Sequence, residues 1–395
     1  MIQQTKPESV GDVLTLEEPA KYSNAPRRVS LGFPSGLPFG ERRFPITPEG
    51  AEQLVDRGYR LVVEAGAGEP IHYDDSAYAR AGVEIADRTE TLRADIIVSL
   101  APLAPGEAAG MRRGTLLLTL LHSVIDNANY ARALQQAGVN AVAADIIATE
   151  GHRPVADILH EIDGCASLAV ANALLTDPVA GKGILLGGVT GIVPCETTVI
   201  GSGMGAIAAA HNALGAGGIV RMFDDDLYSL RKAGRVLNHR PIGSAIHPRV
   251  LRSALRSADV VVVTPTKYPV RIDSETVSEM KKRVLIFDLT NTPGAMFPSV
   301  DLVDLAREGG RPLTAPAGRT VFCNVGCRVP RTAAMALSNV LTAHIDTLAE
   351  AMDSIARMSA GMRGAMLLCW GKVVNPLLAD VLDTRSLDIN LLTEN

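Results

Sequence analysis

Aromatic residues are scarce in this chain. Tyr, Phe and Trp make up 4% of 395 residues, and there is a single tryptophan. Readers of single-stranded nucleic acid stack bases on aromatic platforms, so this composition argues against one. A basic excess is missing too. Lys and Arg number 38 against 43 Asp and Glu, a net charge of -5, which offers no electrostatic footprint to nucleic acid or an anionic membrane. No uninterrupted apolar run approaches the roughly 18 residues that a transmembrane span needs. The polar opening MIQQTKPESVGDVLTLEEPAKYSNAPRR has no basic segment followed by an apolar one, so it is not read as a secretion signal. Cysteines are few and odd in number: Cys165, Cys195, Cys323, Cys327 and Cys369. No disulfide framework follows from them, and a reduced, cytoplasmic protein is expected. Cys323 and Cys327 form the one close pair. With no second pair or neighbouring histidine, no metal site is expected there.

What is present is apolar and small. Hydrophobic residues reach 47%, with 36 glycines, enough for two domains of ordinary size. Residues 1–26 are polar and read as a loose arm. After them, short apolar runs alternate with helix-length segments: RVSLGF, RLVVEAG, DIIVSL and GTLLLTLLH, then TTVIG, GIVRMFD, DVVVVTPT and RVLIFDLT. Apolar strands separated by helices build parallel sheets covered on both faces. Pro48 to Arg57 reads as a helix with Thr47 as its N-cap and Pro48 at the first helical position. The stretch from Pro330 to about Trp370 reads as helical. The fold class expected is α/β, with two Rossmann-like, doubly wound parallel-sheet domains and a cleft between them.

The most informative segment is TTVIGSGMGAIAAAHNALGAGGIVRMFDDD, residues 197–226. Gly201 and Gly203 hold the first two positions of a dinucleotide-binding glycine turn, and Ala206 the third. The first allows the tight turn, the second lets backbone approach a pyrophosphate, and the small third residue lets helix and strand pack closely. The helix N-terminus then faces the phosphates with free N–H groups. Asp224 lies at the spacing of the acid that accepts from the ribose hydroxyls. Asp225 and Asp226 follow it, and Arg221 is the only nearby base. A 2′-phosphate would meet repulsion, so NAD is expected over NADP. Candidate cofactor contacts are Gly201, Ser202, Gly203, Met204 and Asp224, with Thr264 and Asn324 after later strands.

GERRFPITPEG (40–50), VVEAGAGEPIHYDDSAYARAG (62–82), GKGILLGGVTGIVPCETTVIGSG (181–203) and NVGCRVPRTAAMALSN (324–339) resemble, in order and spacing, the alanine dehydrogenase and transhydrogenase α-subunit family. The resemblance spans about residues 28–345. It implies an N-terminal substrate domain at 27–165, completed by helices at 331–395, with an NAD-binding Rossmann domain at 166–330 between them. It implies that Arg43, in ERRFPITP, clamps the substrate carboxylate, a task that suits a guanidinium. Neighbouring Arg42 is the alternative. It also implies that His122, after an apolar strand, is the catalytic histidine, able to exchange a proton near neutral pH.

Two departures from the family pattern bear on the reaction. The family's substrate-binding lysine falls in a segment that here reads VSLAPLAPGE, with Ser99 and Ala101 at the matching positions. The aspartate at its reaction centre falls in DLTNTPGA. Asp288 keeps the first acid of that motif, but the second becomes Thr292, or Asn291 if the register slips. Lys267, in TPTKYP, and His160, in LHEIDG, are the candidate substitutes. Ser99, Asn291 and Thr292 would form a small polar pocket.

Three functions are therefore weighed. The first is an NAD-dependent oxidoreductase acting on an amino or imino acid other than alanine. The second is an opine-forming enzyme that condenses a keto acid with an amine. The third binds NAD without net redox turnover, as a regulatory or cyclodeaminase-like protein. The expected partner is a small-molecule amino or keto acid, with no nucleic acid and no membrane. A homo-oligomer is also expected, for which the Ala- and Met-rich helices after Pro330 offer a surface.

Overall fold

The computed structural model describes residues 29–353 and 357–392, so the arm expected at 1–26 lies outside the described residues. Six of the eight strands of the first sheet run parallel: β1 (Ser30–Phe33), β2 (Arg60–Glu64), β3 (Glu84–Ala86), β4 (Ile96–Val98), β5 (Leu116–Thr119) and β6 (Asn140–Ala143). They lie in the order β3-β2-β1-β4-β5-β6. Leu31, Val63, Ile96, Leu118 and Val142 are almost fully buried, which is why the runs are continuously apolar rather than alternating. Helix α1 (Pro48–Asp56) begins where the sequence places it, with the Thr47 hydroxyl accepting from Gly50 N at 3.3 Å.

The second sheet contains β7 (Glu196–Ile200), β8 (Ile219–Phe223), β9 (Ile242–Ser244), β10 (Val260–Val263), β11 (Leu285–Asp288), β12 (Asp301–Asp304) and β13 (Thr320–Cys323). All pairings are parallel, in the order β12-β13-β11-β10-β7-β8-β9. The strand order reverses between β7 and β10, and in the first sheet between β1 and β4. In doubly wound folds the carboxyl ends of strands at such reversals hold ligands. Arg43 follows β1, and the glycine turn follows β7.

The expected helical tail is only partly helical. Helix α5 (Pro330–Asp353) is followed by a short helix, α6 (Ala360–Gly364). Then Met366–Cys369 forms a strand, β14, antiparallel to β6 and paired with β15 (Lys372–Val373). A four-residue apolar run gives no periodicity that separates strand from helix. Its partner β6 is more than 200 positions away, so only tertiary pairing decides it.

One helix ties the two sheets together. Helix α3 (Pro154–Thr176) buries Val155 and Leu159 in the first core and Ala166, Leu168, Ala171 and Leu174 in the second. By length and composition alone α3 could cross a membrane, yet it is packed at both ends and carries Asp157, His160, Glu161 and Asp163 in its first half. It lies directly on helix α4 (Met204–Gly215), which starts at the glycine turn. A Cβ on Gly164 would stand 2.3 Å from the Gly205 carbonyl oxygen, so the contact requires glycine. The turn is thereby fixed relative to the first domain.

Candidate functional site

A cavity of about 330 Å³ opens between the strand ends of the two sheets. The first domain contributes Arg43, His122 and Asp145. The second contributes Asp288, Asn291 and Asn324, and helix α3 places His160 and Asp163 against both.

Arg43 is clamped by Glu41. Nε lies 2.9 Å from Oε1 and Nη2 lies 2.6 Å from Oε2, and both side chains are close to nine-tenths buried. Burial opposes the guanidinium charge, but Glu41, with smaller help from Cys327 and Asp163, outweighs it and raises Arg43 well above its ordinary value. Burial likewise pushes Glu41 up, and Arg43 more than reverses this. A guanidinium has five N–H donors. Glu41 takes two, which leaves three for a carboxylate in the cavity.

His122 lies in the first turn of helix α2 (Leu121–Ile125), just past the end of β5. Two contacts fix this turn. The Leu121 amide donates to Asp145 Oδ1 at 2.8 Å, and Ser123 Oγ to the Leu100 carbonyl at 3.1 Å. Asp145 occupies the turn after β6. Burial raises its carboxyl above the ordinary value, only partly offset by the Leu121 N–H and by His122 and His160. The site thus holds a histidine beside a carboxyl group whose charge is costly, an arrangement fit for moving protons.

His160 and Asp163 sit one turn apart on α3, the spacing that brings side chains to one face. Burial raises Asp163, against the pull of Arg43 and the Gly326 amide. That amide donates to Asp163 Oδ1 at 2.8 Å. A Cβ on Gly326 would reach within 2.4 Å of the same oxygen, so no larger residue fits.

The glycine turn has a different purpose at each glycine. Gly201 has φ 103°, and a Cβ there would lie 2.0 Å from Thr264 Oγ1. Thr264 in turn donates to the Ile200 carbonyl at 3.1 Å. Gly203 caps α4 with φ -73°, and a Cβ there would meet nothing within 4 Å. The fold itself does not need a glycine at 203, whereas close approach of a ligand to the backbone does. Ala206 is fully buried, and Met204 is exposed beside the turn. Asp224, at the end of β8, is buried, accepts from Ser202 Oγ at 2.5 Å and from the Asp226 amide at 2.9 Å. Glycine turn and acid therefore stand side by side, as nucleotide binding requires.

Several expected positions need correction. Lys267 does not line the cavity. It is exposed, with its ammonium 5.4 Å from the Tyr268 ring centroid, and its field reaches Asp226. Strand β10 ends at Val263, and the four residues after it carry the lysine past the cleft. The pocket expected of Ser99, Asn291 and Thr292 is not formed. Ser99 is buried and donates to the Ala101 carbonyl at 2.8 Å, while the Thr292 amide points back to Thr290 Oγ1 at 3.4 Å. Of the three, only Asn291 lines the cavity. Asp288 lines it too, with its carboxylate fastening the following loop through Thr290 N, Thr290 Oγ1 and Gly294 N at 3.0, 2.6 and 2.9 Å. Asn324 is left-handed, with φ 55°, and its Nδ2 donates to Asp304 Oδ1 at 2.8 Å.

Glu41, Asp145 and Asp163 escaped the sequence reading. Asp145 carried a signal, because it follows an apolar strand as His122 does. Glu41 and Asp163 carried only proximity to Arg43 and His160 along the chain.

Comparison with known proteins agrees with this fold. Residues 33–164 match the model of the alanine dehydrogenase/PNT N-terminal domain, and residues 167–376 that of the C-terminal domain. Alanine dehydrogenase of Bacillus subtilis is 30% identical over 317 residues, covering 78% of this chain and 83% of the relative. That of Mycolicibacterium smegmatis is 30% identical over 335 residues, covering 81% and 87%. Among solved structures, an L-alanine dehydrogenase superposes with a TM-score of 0.79 at 21% identity, covering 90% of this chain and 99% of that one. A transhydrogenase from Sinorhizobium meliloti gives 0.70 at 20% identity, covering 88% and 99%. At these identities the structures speak to the fold alone.

Proposed function

Because the chain belongs to the alanine dehydrogenase/PNT family, we propose that it is an NAD-dependent oxidoreductase acting at the α-carbon of an amino or imino acid other than alanine. The observation that carries this reading is that one cavity joins Arg43, His122 and Asp145 of one sheet to the strand ends of the other. When bound, the nicotinamide would give or take the hydride. Gly201, Ser202, Gly203 and Met204 would hold its pyrophosphate at the start of α4, with Thr264 and Asn324 nearby. Asp224 would take the ribose hydroxyls. Asp225 and Asp226 extend the negative field there and favour NAD over NADP.

The chain's own part in the reaction follows from the geometry. The three free donors of Arg43 hold the substrate carboxylate in a fixed plane. His122, oriented by the turn that also fastens Asp145, moves the proton on or off the substrate nitrogen or oxygen. His160, on α3, is a second proton carrier in the same cavity. Alanine is disfavoured because Ala101 is a buried methyl where the family has a substrate-binding lysine.

A second reading is opine-type condensation of a keto acid with an organic amine. It is favoured by the loss of the family's second aspartate in DLTNTPGA, which falls on Thr292, or on Asn291 of the cavity wall if the register slips; neither side chain offers a carboxylate to a free ammonium ion at that position. The test is NADH absorbance with a panel of keto acids, first with ammonia and then with primary amines. Oxidation with ammonia supports the first reading, and oxidation only with an organic amine supports the second. Silence in both, with NADH still bound, would leave a dinucleotide-binding protein without turnover.

A further inference from the structure

We propose that a second cavity, behind the turn that carries Asp145, binds a small amphiphile with an apolar tail and a cationic head, and that its occupancy is felt at His122. This cavity, of about 370 Å³, lies within the first domain between α3, α5, α6 and the segment after β6. It is within the size range of small-molecule sites. Its wall toward the catalytic cavity is one residue thick. Along the turn after β6, Ala144 and Ile147 line the second cavity, while Asp145 and Ile146 line the first. At the start of α3, Val155 faces one and Ala156 the other. At the end of β5, Leu118 lines one and Leu120 the other. An occupant therefore touches residues adjacent in sequence to the group beside His122.

The lining indicates the ligand. The interior is apolar, with Leu118, Ala144, Val155, Leu341, Leu348 and Met362 all under 10% exposed. The polar lining is Thr149, Glu150, His344, Thr347 and Ser359, of which Glu150, an exposed residue, is the one acid. Glu150 is held in the left-handed region, φ 50°, by a turn closed through Thr149 N to the His152 carbonyl at 2.8 Å and His152 N to the Thr149 carbonyl at 2.9 Å. No hydrogen bond or ion pair engages the Glu150 carboxylate among the described residues. An apolar interior with the Glu150 carboxylate at its exposed edge suits an alkyl tail and an amine head, and disfavours a carboxylate.

The probe is n-hexylamine, titrated calorimetrically into the full chain, with hexanoate as the charge-reversed control. Neither measurement depends on turnover, so the outcome is separate from that of the proposed reaction. Saturable one-to-one binding of the amine with Kd below about 1 mM is expected, with hexanoate at least about tenfold weaker, a difference of about 1.4 kcal/mol. Ala144→Leu fills the cavity and should abolish binding. Glu150→Gln, at an exposed position, leaves the fold intact and should remove the preference for the amine. Histidine ring resonances should move at His122 on saturation, assigned through His122→Ala, and should not move in Ala144→Leu. The site is refuted if the amine shows no saturable binding, or if hexanoate and Glu150→Gln behave as the amine and the parent do. Binding that leaves the His122 resonance in place refutes the coupling.

Discussion

Glu41 grips Arg43 by two near-parallel contacts, 2.9 Å to Nε and 2.6 Å to Nη2, and so presents the other end of the guanidinium to the cavity. Glu41 is thus a positioning residue, acting through the arginine. Arg43→Lys removes the planar fork and should lower kcat/KM by about a hundredfold, near 2.7 kcal/mol. Glu41→Gln keeps the arginine but loosens its orientation, and should raise KM more than it lowers kcat. Steady-state kinetics on the substrate found in the absorbance screen separates the two. Equal effects on KM and kcat from Glu41→Gln would contradict a positioning role.

Asp145 gives the protein an acid-side signature. Burial raises its native carboxyl above the unfolded value, so between those two values the native state holds more protons than the unfolded chain. Its contribution to stability is fully present below the unfolded value and is lost as pH rises through the native one. Asp145→Asn abolishes that loss. The stability difference between parent and variant should change across this window with a slope of up to about 1.4 kcal/mol per pH unit, read by urea denaturation at a series of pH values. A difference that is flat with pH would contradict the assignment.

The sheets were legible because parallel strands buried on both faces are unbroken apolar runs, as in the four consecutive valines of β10. The glycine turn was legible because φ 103° at Gly201 demands glycine and the acid Asp224 lies one β–α–β unit later. Arg43 could be found only by resemblance, whereas His122 also carried the signal of following an apolar parallel strand. Asp145 meets His122 because β5 and β6 are neighbours in the first sheet, and Asp163 is brought to Arg43 by helix α3 packing across both cores, which no local spacing encodes. Lys267 misled for the same reason: strand ends identify the edge of a cleft, but loop geometry decides which side chains enter it. β14 was missed because its pairing with β6 is a purely long-range event.

At the amino end of the central strand β10 of the second sheet, Asp259 is ion-paired on both oxygens, Oδ1 to Lys182 Nζ at 2.9 Å and Oδ2 to Lys281 Nζ at 2.8 Å. Burial alone would raise this carboxyl, but the two lysines outweigh it and lower it below its ordinary value. Its stabilisation is therefore present above the unfolded value and is lost as pH falls through the native one. Asp259→Asn should cost about 2 kcal/mol at neutral pH, less than a fully buried pair would because Lys281 is partly exposed. The cost should shrink on acidification, as denaturation curves will show. Asp259 precedes β10 at the end of the sheet away from the glycine turn, so the affinity for NADH should be unchanged.

The two glycines of the turn separate folding from ligand binding. At Gly201 the backbone is left-handed and a Cβ would lie 2.0 Å from Thr264 Oγ1, so Gly201→Ala must displace strand β10 or the turn itself. It should lower stability by about 1–3 kcal/mol and impair NADH binding as a consequence. At Gly203, φ is -73° and a Cβ meets no atom within 4 Å. Gly203→Ala should therefore melt at the parent temperature. Its methyl group would nevertheless project into the space a pyrophosphate needs, next to the free N–H groups at the start of α4. NADH affinity, followed by fluorescence, should fall at least about tenfold, or about 1.4 kcal/mol. Parent-like affinity in a normally folded Gly203→Ala would place the dinucleotide elsewhere. Lost affinity at an unchanged melting temperature would locate the phosphates at this turn without any contribution from misfolding.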